Sequence, residues 1–214
     1  MSENARSAID AIEKAFGGVR LEDGVSLREA IVLDNYGTDE ERQRARLQDE
    51  PEDWRKIPDE TIADYSASLA FLDAKGMRFY LPAFMCFAVR NYQHSDSASI
   101  DYTLYTLDLS PGSGAETVDL VFEKATEEQR TLLETAISPA ELKAKLESLD
   151  DYRAERLRLL TPVQWDAIRK FLEFMVAEAA DRVDCRVARR ALERLRNWPG
   201  GGRAAPPSKP GKVL

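Results

Sequence analysis

The sequence predicts a mostly α protein: a single helical domain with a minor β-strand or hairpin, then a basic amphipathic helix and a disordered tail. Three observations carry this. Helix-start signals recur along the chain: Ser26…Glu29, Thr38…Glu41, Thr126…Gln129, Ser138…Glu141 and Thr161…Gln164. In each, a hydroxyl and a carboxylate or amide three residues on can satisfy two backbone donors that the first turn of a helix leaves unpaired. Apolar residues recur at spacings of three and four, the period of one helix face. An acidic chain also ends in a basic stretch with its own apolar stripe.

In chain order, Ile9, Ile12, Ala15 and Phe16 form a first stripe that stops at Gly17-Gly18, where a glycine suits the end of a helix. The Ser26 and Thr38 signals open the next two helices, and 49–58 reads as a loop. A helix through Ala70–Leu72 is expected to turn at Gly76. Arg78, Phe79, Tyr80 and Leu81 then extend, as the residue before a proline prefers, and Pro82 starts the next helix with Phe84, Met85 and Val89 inward. Residues 95–99 and 110–115 are loops, and Ile100–Leu109 fits a strand or a helix face equally. Leu132, Leu133, Ala136 and Ile137 mark a helix after Thr126. Pro139 and Pro162 follow their caps directly, where the missing N–H costs nothing. The longest stripe is Val163, Ala167, Ile168, Phe171, Leu172, Met175 and Ala179. It either continues through Val183, Val187, Ala191, Leu195 and Trp198 or breaks near Asp181–Asp184. The predicted organisation is a helical domain over 1–180, a basic helix over 181–198 and a tail over 199–214 too poor in apolar residues to pack.

No apolar run approaches the roughly 18 residues a bilayer span needs. The acidic N-terminus lacks the apolar core of a secretory signal. A cytoplasmic location is therefore expected, with Cys86 and Cys185 as free thiols. Residues 186–214 hold eight Lys/Arg and one acid, a charge of +7, so the chain's net −8 leaves −15 on the rest. An acidic body repels phosphates and argues against broad nucleic-acid binding, while the basic end keeps a local version open.

Catalytic chemistry finds little material. His94 is the only histidine, which excludes multi-histidine metal sites. A Cys86–His94 dyad would place its thiol among Phe84, Met85 and Phe87, which raise a thiol pKa rather than lower it. Neither glycine-rich phosphate motif occurs. The acids from Asp34 to Asp64 read as a solvated face. No catalytic residue, metal site or cofactor is assigned.

Two candidate sites remain. Arg182, Arg186, Arg189, Arg190 and Arg194 recur near every fourth residue beside an apolar stripe. Either this helix docks on its own domain and pairs with the acidic body, or it meets a partner: an acidic protein first, nucleic acid second, a membrane third. Around the Gly76 turn, Asp73, Arg78 and Tyr80 are polar groups that the turn does not require. Asp73 and Arg78 would bridge across it, or all three would line a pocket.

The run Asp73, Gly76, Arg78, Phe79, Tyr80, Leu81, Pro82 is similar to an Asp-x-x-Gly-x-Arg-Phe-Tyr-Leu-Pro segment of a family of uncharacterised bacterial proteins. The resemblance extends to GVSLREAIVLDNYG, to DWRKIPDETIADYSASLAFLD and to LLTPVQWDAIRKFLEFM, about residues 5 to 178. It implies one domain and transfers no activity, substrate or catalytic residue. The functional expectation is a non-enzymatic interaction or accessory (immunity-type) protein of the bacterial cytoplasm. A metal-dependent hydrolase or nuclease-like enzyme using carboxylates, and a nucleic-acid-associated regulator using the arginine helix, are the alternatives.

Overall fold

The computed structural model describes residues 1–108, 126–129, 138–179 and 185–196. Their regular structure is helical, with no strand among the described residues. They fall into two compact units, 1–108 with 156–179 and 185–196, and 126–129 with 138–155.

In the first unit the helices are α1 (Glu3–Ala15), α2 (Leu27–Asp34), α3 (Asp39–Arg46), α4 (Asp59–Asp64), α5 (Ala74–Asn91) and α6 (Ser99–Leu107), with short 3-10 helices at Trp54–Lys56 and Ser66–Ala70. Helix α7 (Pro139–Leu157) lies in the second unit except for its last two residues. Helices α8 (Pro162–Glu178) and α9 (Cys185–Arg196) return to the first.

All five sequence signals open as read. Ser26, Thr38 and Thr161 each accept from the backbone N–H three residues on, and Glu29, Glu41 and Gln164 reach back to the cap. Thr126 with Gln129 and Ser138 with Glu141 make the same reciprocal bonds. Pro139 and Pro162 are the first residues of their helices. Helix α1 stops where Gly18 adopts φ +75°, a conformation glycine enters without a Cβ clash. The ambiguous run from Ile100 resolves as helix α6.

Helix α5 is the axis of the first unit. It packs against α1, α4, α6, α8 and the Trp54 turn, and 14 of its 18 residues are buried. Phe79, Leu81, Phe84 and Met85 of α5 are fully buried, as are Ile12, Phe16, Leu69 and Phe171 elsewhere in the unit. Burying each such side chain contributes about 1.5–3 kcal/mol. Trp54 is 3% exposed and donates its indole N–H to the Phe16 carbonyl at 3.0 Å, tying the turn to the end of α1.

Five expectations are corrected here. The segment Arg78–Leu81 is not extended: it is the second turn of α5. Gly76 does not end a helix but occupies the first turn of one, and the helix expected through Leu72 is a 3-10 helix that ends at Ala70. Pro82 sits in the helix interior, where proline removes a hydrogen bond and costs about 3 kcal/mol. The burial of the residues around it outweighs that local preference, as packing commonly does for a helix. In the last stripe, Val163 is 60% exposed and lies off the buried face that Ala167, Ile168, Phe171, Leu172 and Met175 share.

Helix α8 ends at Glu178 and α9 begins at Cys185; the stretch 181–184, where a break is one of the two expectations, lies outside the described residues. Helix α9 packs on α8 and α6 through Val187, Ala188, Ala191 and Leu192. The predicted Leu132–Ile137 stripe, the 110–115 loop, Arg182, Val183, Trp198 and the 199–214 tail lie outside the described residues.

Candidate functional site

Asp73 builds the N-terminus of α5. Its backbone is extended, and its Oδ1 accepts from Gly76 N–H at 2.8 Å and from Val25 N–H at 2.9 Å. One carboxylate oxygen therefore caps α5 and anchors the loop before α2. That loop lies backbone against backbone on the first turn of α5. A Cβ on Gly76 would collide with the Val25 carbonyl, and one on Gly24 would stand 2.6 Å from the Gly76 nitrogen. The glycine that resembled a turn signal is a close-approach signal. Lys75 adds ion pairs to Asp23 and Glu22 across the same seam.

Asp73, Arg78 and Tyr80 do not converge. No ion pair joins Asp73 to Arg78, and two residues along a helix place Arg78 and Tyr80 about 200° apart around its axis. Arg78 is half-buried and its Nε has no hydrogen-bond partner. Tyr80 is 1% exposed, and its buried hydroxyl lies near the Leu27 backbone but makes no hydrogen bond of ordinary geometry. Burial, then the nearby Asp49 carboxylate, push the Tyr80 phenol well above its ordinary value, against the Leu27 backbone, Arg46 and Arg28.

The tyrosine faces a charged network that the sequence did not disclose. Glu29, 8% exposed, completes the α2 capping box and also takes Arg42 at 2.9 Å and Arg46 at 3.2 Å. Arg46 reaches on to the carbonyls of Gly24 and Glu22. Asp49 accepts from Arg28 N–H at 2.9 Å and pairs with the Arg28 guanidinium, which covers the Tyr65 ring at 4.9 Å. Only Ala45 of α3 is buried, so arginines hold this helix in place more than apolar packing does. The four-residue spacing of Arg42 and Arg46 puts both on one helix face. Their partner on α2 is a tertiary fact.

Cys86 is 1% exposed; burial, opposed by Arg90, pushes its thiol up to about 12. His94 is exposed in the turn after α5, where its backbone N–H donates to the Asn91 carbonyl at 3.0 Å, and no hydrogen bond joins it to Cys86. Asp59 is lifted by burial, yet its bonds to Arg90 and Asn91 hold it below the usual carboxylate range. Among the described residues no three His, Cys, Asp or Glu are grouped so as to hold a metal ion. An open groove of about 540 Å³ runs beside α1 and is lined by exposed Glu3, Arg6, Asp10, Lys14 and Lys170. None of the residues singled out from the sequence lines it.

Residues 4–148 match the model of a family of unknown function, DUF6714. The chain belongs to this family. No curated protein and no solved structure matches it. The DUF6714 match covers the Asp73–Pro82 run and the Glu29 network and ends before α8 and α9.

The arginine helix thus lies beyond the DUF6714 segment. Of its predicted apolar stripe, Val187 and Ala191 are buried against its own domain and Leu195 is half-buried, and two arginines bind there too. Arg190 donates to Asp108 at 2.8 and 3.1 Å, and Arg196 stands 3.7 Å from Glu173. Asp108 is 5% exposed, so the Arg190 contact answers a buried carboxylate. Arg186, Arg189 and Arg194 are exposed. Among the described residues neither Arg189 nor Arg194 makes a hydrogen bond or an ion pair.

Proposed function

We propose that this DUF6714 protein is a non-enzymatic interaction protein, an accessory or immunity-type component of the bacterial cytoplasm, that engages an acidic surface of another protein. One observation carries the reading. The buried stripe of α9 is satisfied by α6 and α8, and the outward face still presents Arg189 and Arg194, which pair with no carboxylate among the described residues. Exposed arginines contribute little to the stability of their own fold, and arginine is enriched at protein interfaces. Elsewhere, of the three polar residues singled out around Gly76, Asp73 and Tyr80 are absorbed by the fold, and Arg78 is half-buried.

The test is charge reversal. Affinity capture with the tagged full-length chain should lose its partner in the Arg189→Glu, Arg194→Glu variant. Thermal unfolding should stay within about 0.5 kcal/mol, as for surface substitutions generally. A partner held equally by both forms would sink the reading.

A further inference from the structure

We infer that the interaction surface is larger than the arginine face: α9 and α6 form one composite strip, and the strip takes an acidic, apolar-bearing segment of a protein rather than a nucleic acid. This rests on the reading of α9 as the partner-facing helix and adds to it the second half of the surface and the chemistry of the occupant.

Contiguity comes first. At about 100° per residue, the buried residues Val187, Ala188, Ala191 and Leu192 point one way, and Arg190 and Arg194 fall on one flank of the exposed arc. That flank is turned toward α6, because Arg190 binds Asp108 at the C-terminal end of α6. Tyr102, Tyr105 and Asp108 are spaced by three and form one ridge along α6. The surface therefore runs from Arg194 to Arg190, across Asp108, to Tyr105 and Tyr102. Tyr102 is 40% and Tyr105 46% exposed, while their helix buries Ile100, Thr103, Leu104 and Leu107 on its other side.

Composition comes second. Tyrosine and arginine side by side are the residues that most often dominate binding energy at protein interfaces. Tyr102 offers ring area at low entropic cost, and Arg194 offers a fork that fits a carboxylate.

Charge decides between the occupants. Tyrosine and arginine would also suit bases and phosphates. Here carboxylates are interleaved with them: Asp101 is exposed on α6, Glu193 is exposed on the outer arc of α9, and the chain carries a net −8. A polyanionic backbone would meet these acids at short spacing, and salt would screen what attraction remains. A protein segment can set a carboxylate against Arg194 and an apolar side chain against Tyr102 without placing charge on Asp101 or Glu193.

Three labelled probes titrated against the full-length chain test this: a peptide of about twelve residues alternating Glu and Leu, polyglutamate of equal length, and a DNA duplex. The expected order of affinity is the Glu–Leu peptide, then polyglutamate, then DNA. Tyr102→Ala should weaken the Glu–Leu peptide about tenfold, the scale of an interface hot spot, and leave polyglutamate within about twofold. Tyr102→Phe keeps the ring and should restore binding, which separates a contact from a folding defect. Arg194→Glu should weaken both peptides. If Tyr102→Ala changes nothing while Arg194→Glu weakens both, the composite strip is wrong and the α9 reading stands. If the Arg189→Glu, Arg194→Glu variant binds all probes like the wild type, both fail. DNA bound as tightly as the Glu–Leu peptide, or no binding of that peptide, overturns the assignment of an acidic protein segment.

Discussion

Helices α5 and α9 both carry arginines beside apolar residues, and the fold treats them in opposite ways. Helix α5 buries 14 of 18 residues and has neighbours on nearly every side. Most of its polar groups are used locally: Asp73 caps it and anchors Val25, Arg90 binds Asp59, and Tyr80 is sealed against the α2–α3 network, while Arg78 is half-buried. Helix α9 buries four of 12 residues against two neighbours and leaves an outer arc of arginines, two of which make no hydrogen bond or ion pair among the described residues. A polar residue on a helix packed all round is spent on the fold. On a helix packed on one side it remains available. Burial geometry, more than residue type, separates a structural arginine from an interaction arginine.

The sharpest way to break this contrast is to empty the α5 core. Phe84 is fully buried, and Phe84→Ala should cost about 3–5 kcal/mol in denaturant unfolding. A cost below about 1 kcal/mol would mean that α5 is not the axis.

The two free cysteines compare the helices directly, since Cys86 lies in α5 and Cys185 opens α9. Near pH 8, iodoacetamide should modify Cys185 first and Cys86 only as the protein opens, because burial holds the Cys86 thiol protonated up to about 12. The sign follows from linkage. A thiol whose folded pKa lies above its unfolded value of about 8.5 stabilises the fold below that value and loses its contribution as pH rises toward 12. Peptide mapping showing Cys86 modified as fast as Cys185 would contradict the burial of α5.

The smallest effect is expected at Tyr80. Its buried hydroxyl makes no hydrogen bond of ordinary geometry, so Tyr80→Phe should be neutral or stabilising by up to about 1 kcal/mol. A loss of more than about 1 kcal/mol would show that the hydroxyl is tied into the Asp49–Arg28–Arg46 network after all.

The comparison also explains what was legible in the sequence. Every helix start marked by a Ser/Thr capping box opened where it was read, and so did the α8 stripe apart from Val163. These signals are local: cap and responder lie three residues apart, and a stripe needs only its own helix. Asp73 is an equally local cap, with Gly76 at its third position, and a search that includes Asp among N-cap residues finds it. Arg78–Leu81 misled because Phe, Tyr and Leu before a proline fit an extended strand locally. The fold decided otherwise by burying that segment on nearly all sides.

Taken alone, the sequence determined a mostly helical chain, its cap positions, the one-sided pattern of the last helix and the acidic body with its basic end. The tertiary structure decided the rest: that α5 is one continuous helix through Pro82, that Glu29 holds Arg42 and Arg46, and that Arg190 is spent on Asp108 while Arg189 and Arg194 are not. The physical reason is range. Caps and stripes are set by neighbours within one or two turns, whereas partners for buried charge and compensation for an interior proline come from residues distant in the chain.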